Sequence, residues 1–204
     1  MDISQFTQLL EAKKREIEDA LRRTLPVKVG WIAADHFHEN FREGGFVNDG
    51  LNPWPTARRQ RSGSKSAADN YGPLLSGRKQ LYGSIKYVPG DYKVSVRTDL
   101  KYAPLHNWGG TVSPTVTPKM RKYAWARYNE AIGKKKGDGA KKGKRKKKYV
   151  ETEEALRWKA LALTRKPKLN ISIPQRQFLG ESRELDEKIN KAIEKELEKI
   201  LSNG

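Results

Sequence analysis

The 204-residue sequence contains no cysteine and only three histidines. The first absence excludes disulfides and thiolate metal sites and leaves the redox compartment open. The second leaves His36, His38 and His106 as the only imidazoles. His36 and His38 stand two apart, a spacing that points them to different faces of a helix and argues against a shared metal. No apolar run approaches the ~18 residues needed to span a bilayer. The first residues are polar with a helical pattern, unlike a charged-then-apolar leader. The expectation is a soluble protein with no membrane partner, made in the cytoplasm without export. Acidic residues are scarce, 24 against 42 Lys and Arg, for a formal charge of +18. Such a balance predicts contact with a polyanion and says nothing about fold. Hydrophobic residues reach only 36%, low for a globular chain. The length fits one domain carrying an elaboration.

What is present is ordered along the chain. Ile3, Phe6, Leu10, Ile17 and Leu21 recur at steps of three, four and seven, one apolar stripe on a helix. Asp2 or Ser4 can cap it, and Pro26 is expected to end it. Ile32, Ala33, Phe37 and Phe41 form a second stripe that Gly44-Gly45 stops, so two helices are predicted, antiparallel or flanking one sheet. Residues 46–73 read as a loop. Within it Pro53-Trp54-Pro55 is extended, and Arg58, Arg59, Arg61 and Lys65 fall in a Ser/Gly/Ala-rich run. That run is either a solvated loop or a basic arm for a neighbouring subunit or nucleic acid.

Apolar and polar residues alternate on both sides of Pro89-Gly90-Asp91, which predicts a β-hairpin with Tyr92, Val94 and Val96 on the buried face. Thr111 to Thr117 is suited to extend the sheet, and a weakly amphipathic helix follows from about Lys119 to Ile132. Residues 134–148 then carry ten positive charges against one negative, half of the chain's net charge. Alone, such a segment repels itself and stays disordered. Its cations are Lys134, Lys135, Lys136, Lys141, Lys142, Lys144, Arg145, Lys146, Lys147 and Lys148. They suit phosphates and cannot read bases, and the alternative is a solvated loop that never meets DNA. Residues 151–163 return to a helical pattern, and Leu169, Ile171 and Ile173 alternate as a strand, so the basic run is the tip of an excursion whose arms pair. Leu185, Ile189, Ile193, Leu197 and Ile200 share one face of a long closing helix, with Ser182 as N-cap, acidic residues in its first turn and Lys199 near its end. That helix is expected to pack on the sheet.

Chemistry candidates are few. His106 sits beside Trp108 and Gly109-Gly110, but a general base needs a nucleophile or carboxylate nearby. Asp99 is close in sequence with no motif around it, so His106 reads as a buried or interface histidine in a turn. The glycines around Gly137, Gly139 and Gly143 miss the spacing of a phosphate loop, and Lys144 is followed by Arg145 rather than Ser or Thr.

Several separated stretches resemble the phage virion morphogenesis family, the tail completion proteins of Mu-like phages with P2-type relatives. They are Gly50-Leu51-Asn52-Pro53-Trp54, then Leu74-Leu75-Ser76-Gly77 with Leu81 and Ser84-Ile85. Next come Tyr102-Ala103-x-x-His106-x-x-Gly109, Arg176-x-Phe178-Leu179-Gly180 and the closing amphipathic helix. Gln177 stands where the family often has proline. The resemblance implies an α+β core of residues 1–110 and 170–204, with 111–169 as an inserted excursion tipped by 134–148. In that core a small antiparallel sheet, the hairpin plus the returning strand, is packed by N-terminal helices and a long C-terminal helix. It also implies a non-enzymatic virion protein at the head–tail junction that needs no cofactor. Copies would form a hexameric ring between tail tube or terminator and connector, and the charge density of residues 134–148 adds the expectation that they face the lumen and touch genomic DNA. Tyr102, Ala103, His106 and Gly109 would then make a turn. Arg176, Phe178 and Gly180 would set the last helix, and Trp54, Arg58 and Arg59 would serve subunit contacts. The competing reading is a sequence-independent nucleic-acid-binding protein that uses the Lys-rich segment.

Overall fold

A computed structural model describes residues 2–61, 70–133 and 149–202. It is an α+β structure that divides into two compact units, one of Met1–Gly110 with Pro174–Gly204 and one of Thr111–Ile173.

The first unit begins with a helix that does not stop where the sequence predicts. α1 (Ile3–Asp19) starts on a capping box formed by Asp2 and Gln5. It runs through a π-helical turn, Ala20–Thr24, into α2 (Leu25–Glu43), with helical backbone at Asp19, Ala20, Thr24 and Leu25. Pro26 therefore lies inside a continuous helix instead of ending one, and the expected pair of helices is a single rod. The reason is local and tertiary at once. The wide turn lets the Leu25 N–H reach back to the Ala20 carbonyl. Proline has no N–H for the Arg22 carbonyl four residues earlier. That carbonyl instead accepts from the Tyr92 N–H, 3.3 Å away. Arg22 also donates through Nε and Nη2 to the Asp91 carboxylate at 3.0 and 2.7 Å.

Asp91 and Tyr92 are the tip of the hairpin of β3 (Lys86–Gly90) and β4 (Lys93–Arg97), registered from Lys86 opposite Arg97 to Gly90 opposite Lys93. The turn is thus one residue later than Pro89-Gly90-Asp91. Tyr92, assigned to the buried face, is instead a turn residue with φ 57° and an exposed ring. Val94 and Val96 are half-buried and Lys93, Ser95 and Arg97 exposed, as the alternation predicts. The hairpin packs on α2. Gly30 permits that approach: a Cβ there would sit 2.8 Å from Val94 Cγ2 and closer still to the Tyr87 ring.

Between α2 and the hairpin, the stretch read as a loop contains a second hairpin, β1 (Gly45–Val47) with β2 (Leu51–Pro53). It is followed by a 3-10 turn, Arg58–Arg61, and a short α3 (Gln80–Gly83). After β4 comes α4 (Ala103–Trp108). The unit closes with α7 (Arg183–Ser202). Ser182 Oγ accepts from the Leu185 N–H at 3.2 Å, the predicted N-cap. α7 packs along α2 and the end of α1 rather than on a sheet. Its Lys188 pairs with Glu39 at 3.2 Å and its Glu196 with Lys28. The core gathers Phe37, Phe41, Phe46, Trp54, Leu81, Ile85, Phe178 and Leu185. Phe41 is its hub, with ring centroids of Trp54 and Phe178 at 5.4 Å and Tyr82 at 5.8 Å.

In the second unit, α5 (Pro118–Ala131) and α6 (Glu153–Leu163) are capped by Thr117 and Thr152 and pack on each other. Ala124 and Ala155 are fully buried, small residues that let the helices approach closely. Trp158 takes the edge of Tyr123 and lies under the Arg127 guanidinium. β5 (Gly110–Val112) pairs with β6 (Ile171–Ile173), and an antiparallel bridge joins Thr115 to Lys168. The returning strand therefore does not join the hairpin. The expected single sheet is three separate two-stranded ladders among the described residues.

Candidate functional site

The two stretches singled out in the sequence meet in the first unit. Around α4, the side chain that ties them is Asn107, which is 3% exposed. Its Oδ1 accepts from the backbone N–H of Phe178 at 2.8 Å and of Leu179 at 2.9 Å, and its Nδ2 donates to the Leu179 carbonyl at 3.0 Å. The preceding residue adds a backbone bond, Arg176 N–H to the His106 carbonyl at 2.8 Å. From the other side, the Trp54 indole donates to the Gln177 carbonyl at 2.7 Å. Asn40, fully buried on α2, reaches the Phe178 carbonyl and accepts from the Val47 N–H. Segment 176–180 has no strand or helix of its own. Its buried backbone groups are instead satisfied by side chains, as burial requires. Phe178 is completely buried against Phe41.

The other motif residues support this clamp. Arg176 is buried and donates through Nε to the Pro55 carbonyl at 2.8 Å. Gly180 lies against Phe46, and an added Cβ would run into the Gln177 amide. Tyr102 holds the N-cap position of α4 and its ring meets that of His106 in a T-shaped contact, and Ala103 is buried. Gly109 ends α4 at φ 72° and ψ −176°, a region open essentially to glycine alone. Gly109→Ala is expected to cost about 1–3 kcal/mol in a urea unfolding curve. An unchanged midpoint would refute this.

His106 stands close to the positive Arg176 guanidinium. Asp99 pairs with Arg97 at 3.8 Å. Burial, with the Arg176 charge adding to it, holds the His106 pKa below its ordinary 6.5. Its Nδ1 is buried without a hydrogen-bond partner. His36, almost fully buried on α2, is lowered by burial and by Lys188. His38 instead stacks on Tyr82 and bonds its carbonyl, so the two neighbouring histidines do diverge. For both lowered imidazoles the unfolded chain binds protons more readily than the folded one. Their contribution to stability is full above the ordinary value and is lost as pH falls through it toward the folded value. NMR titration should give His36 and His106 midpoints below 6.5. A His106 midpoint at or above that value would contradict the arrangement. No group of three or more metal-ligating side chains occurs among the described residues.

Trp54, expected at a subunit contact, is buried within its own chain. The Arg59 guanidinium holds the following loop, donating to the carbonyls of Gly72 and Leu75 at 2.5 and 2.9 Å. Arg58 opens the 3-10 turn, and its side chain is outside the described ones. Lys134, Lys135, Lys136, Lys141, Lys142, Lys144, Arg145, Lys146, Lys147 and Lys148 lie outside the described residues.

Sequence reasoning passed over Asn107 and Asn40. An asparagine inside a short stretch ending in glycines reads as turn chemistry. Nothing local marks it as the ligand of backbone groups 71 and 72 positions away. It also expected the first helix to pair with the second or to flank a sheet. Ile3, Phe6 and Leu10 are 83%, 57% and 57% exposed. A groove of about 690 Å³ runs between α2 and α7, walled by Val27, Trp31, Ile32, Tyr87 and Ala192. No helix among the described residues is long and apolar enough to cross a membrane.

The first unit offers a packed core together with exposed apolar surfaces. Its motif residues hold backbone, with no bond-making constellation among them. Compared with known proteins, residues 1–198 match the model of the phage virion morphogenesis family. No curated protein and no solved structure matches the chain.

Proposed function

The chain belongs to the phage virion morphogenesis family, and from that premise we propose that this structural protein completes the tail at the head–tail junction of a virion. In this reading, copies close into a hexameric ring that joins tail tube or terminator to connector. The protein has no catalytic role. It is made in the host cytoplasm and ends in the neck of the particle. The observation that carries the reading is the family match over nearly the whole chain. The site supports it: Asn107, Trp54 and Asn40 are spent on holding one segment rigid, and the apolar stripe of α1 is left for other molecules. Phage lacking the protein should yield full heads and separate tails by electron microscopy. Normal infectious particles without it would rule the reading out. Native mass spectrometry of the purified protein checks the ring, with six copies as the expected mass.

The charge of +18 favours a second element. We propose that residues 134–148 line the ring and touch the phosphates of passing DNA. Replacing them by a Gly-Ser linker should weaken DNA binding at low salt and flatten its salt dependence. Unchanged binding would reject that contact. Tight, salt-sensitive DNA binding by a monomer with no affinity for tails would instead favour a general nucleic-acid-binding protein.

A further inference from the structure

The first turns of α1 carry an apolar stripe that the described residues leave exposed. Every residue from 2 to 12 is exposed, including Ile3, Phe6, Leu9 and Leu10. Lys13 is the first residue of α1 that is half-buried, and its Nζ donates to the Ile200 carbonyl in the last turn of α7 at 2.8 Å. In proteins most helical stability comes from packing of an amphipathic face. An exposed stripe at the end of a rod marks an interaction surface.

The same chain carries a receptor of matching chemistry. The groove between α2 and α7 has apolar walls, Trp31 among them at 63% exposure. It is rimmed by Lys195 and Lys199, while its one carboxylate, Glu196, is taken by Lys28. Residues 2–12 are Asp-Ile-Ser-Gln-Phe-Thr-Gln-Leu-Leu-Glu-Ala: two carboxylates and no Lys or Arg, in a chain with a large excess of cations. The apolar stripe thus carries the opposite charge to the rim of the groove. Its own groove is out of reach, because α1 continues through the π turn into α2, which forms one wall, and a continuous helix cannot fold back on itself.

We infer that residues 2–12 of one copy dock into the α2–α7 groove of a second copy. Donor and receptor are different surfaces of one chain, so the contact is heterologous and repeats head to tail, closing into a ring where the rotation allows. This rests on the ring reading above and names the contact that builds it.

The test uses the full chain, whose lack of cysteine makes single introduced thiols unambiguous. Leu10→Cys and Ala192→Cys proteins, tagged differently, are mixed under mild oxidation. The expected product is a disulfide-linked pair with one copy of each, and no linked pair from Leu10→Cys alone. Leu10→Glu should weaken self-association by about 10- to 100-fold, the worth of burying one leucine. Its circular dichroism should stay as in the parent, since Leu10 is exposed. Rings of parental mass from Leu10→Glu, with no mixed disulfide, would overturn the inference and leave the ring standing. Leu10→Cys linking to itself would overturn it in favour of α1 pairing with α1. A parent protein that stays monomeric both alone and on purified tails would remove the ring reading, and this contact with it.

Discussion

Asn107→Ala is expected to destabilise the protein by about 2–4 kcal/mol, because it strands one buried and one part-buried amide at once. The Phe178 and Leu179 N–H groups both end on Asn107 Oδ1, at 2.8 and 2.9 Å, and the Leu179 carbonyl loses its donor. An unsatisfied buried group costs about 1–3 kcal/mol, against about 1 for an ordinary hydrogen bond lost with both partners re-solvated. Water cannot readily replace the amide where the residue is 3% exposed. The expected phenotype is a lowered urea midpoint. Asn107→Leu separates packing from hydrogen bonding: it fills the space and satisfies nothing, so its loss should be as large as that of alanine. Near-parental stability in the leucine variant would show that the bonds matter little.

The second large effect is expected from Phe178→Ala, about 3–5 kcal/mol, the range for emptying a buried aromatic site. Phe178 has no exposed surface and meets Phe41, the residue that also carries Trp54 and Tyr82. Removing it opens a cavity beside the hub while the backbone of 176–180 is still held by Asn107, Trp54 and Asn40. The walls are therefore poorly placed to collapse, which favours the upper part of the range. Phe178→Leu keeps most of the volume and should cost less than about 1.5 kcal/mol. Equal losses for leucine and alanine would mean that ring shape, not volume, is what the site requires. The two variants attack one clamp, so the double variant should lose less than the sum. Independent losses would argue that backbone bonding and ring packing at 176–180 are separate devices.

Both variants bear on assembly only through folding. Leu10→Glu is the opposite case, a surface change that should leave the fold of the single subunit alone and affect association. The comparison separates residues that build the subunit from residues that join subunits.

The elements legible in the sequence are those whose cause is local. The stripe from Leu185 to Ile200 and the Ser182 cap specify α7 within twenty residues, and the alternation from Tyr87 to Val96 specifies the hairpin. The ordered set of short stretches, from Gly50–Trp54 through Tyr102–Gly109 and Arg176–Gly180 to the closing helix, pointed to the family that the chain matches. The site was legible in its location, not in its chemistry. His106 draws attention as an imidazole, yet the neighbouring Asn107 makes the bonds, to residues some seventy positions away.

By itself, then, the amino-acid order determined the longer helical segments, the β3–β4 hairpin, the absence of thiol chemistry and the family. Only the tertiary structure decided that Pro26 does not break its helix, because the Arg22 carbonyl is satisfied by Tyr92 from the hairpin. Only it decided that β6 meets β5, and that the α1 stripe lies bare while a groove opens between α2 and α7. Periodicity records which face of a helix is apolar. What covers that face depends on chain brought from a distance, and here the described chain leaves the face of residues 2–12 exposed.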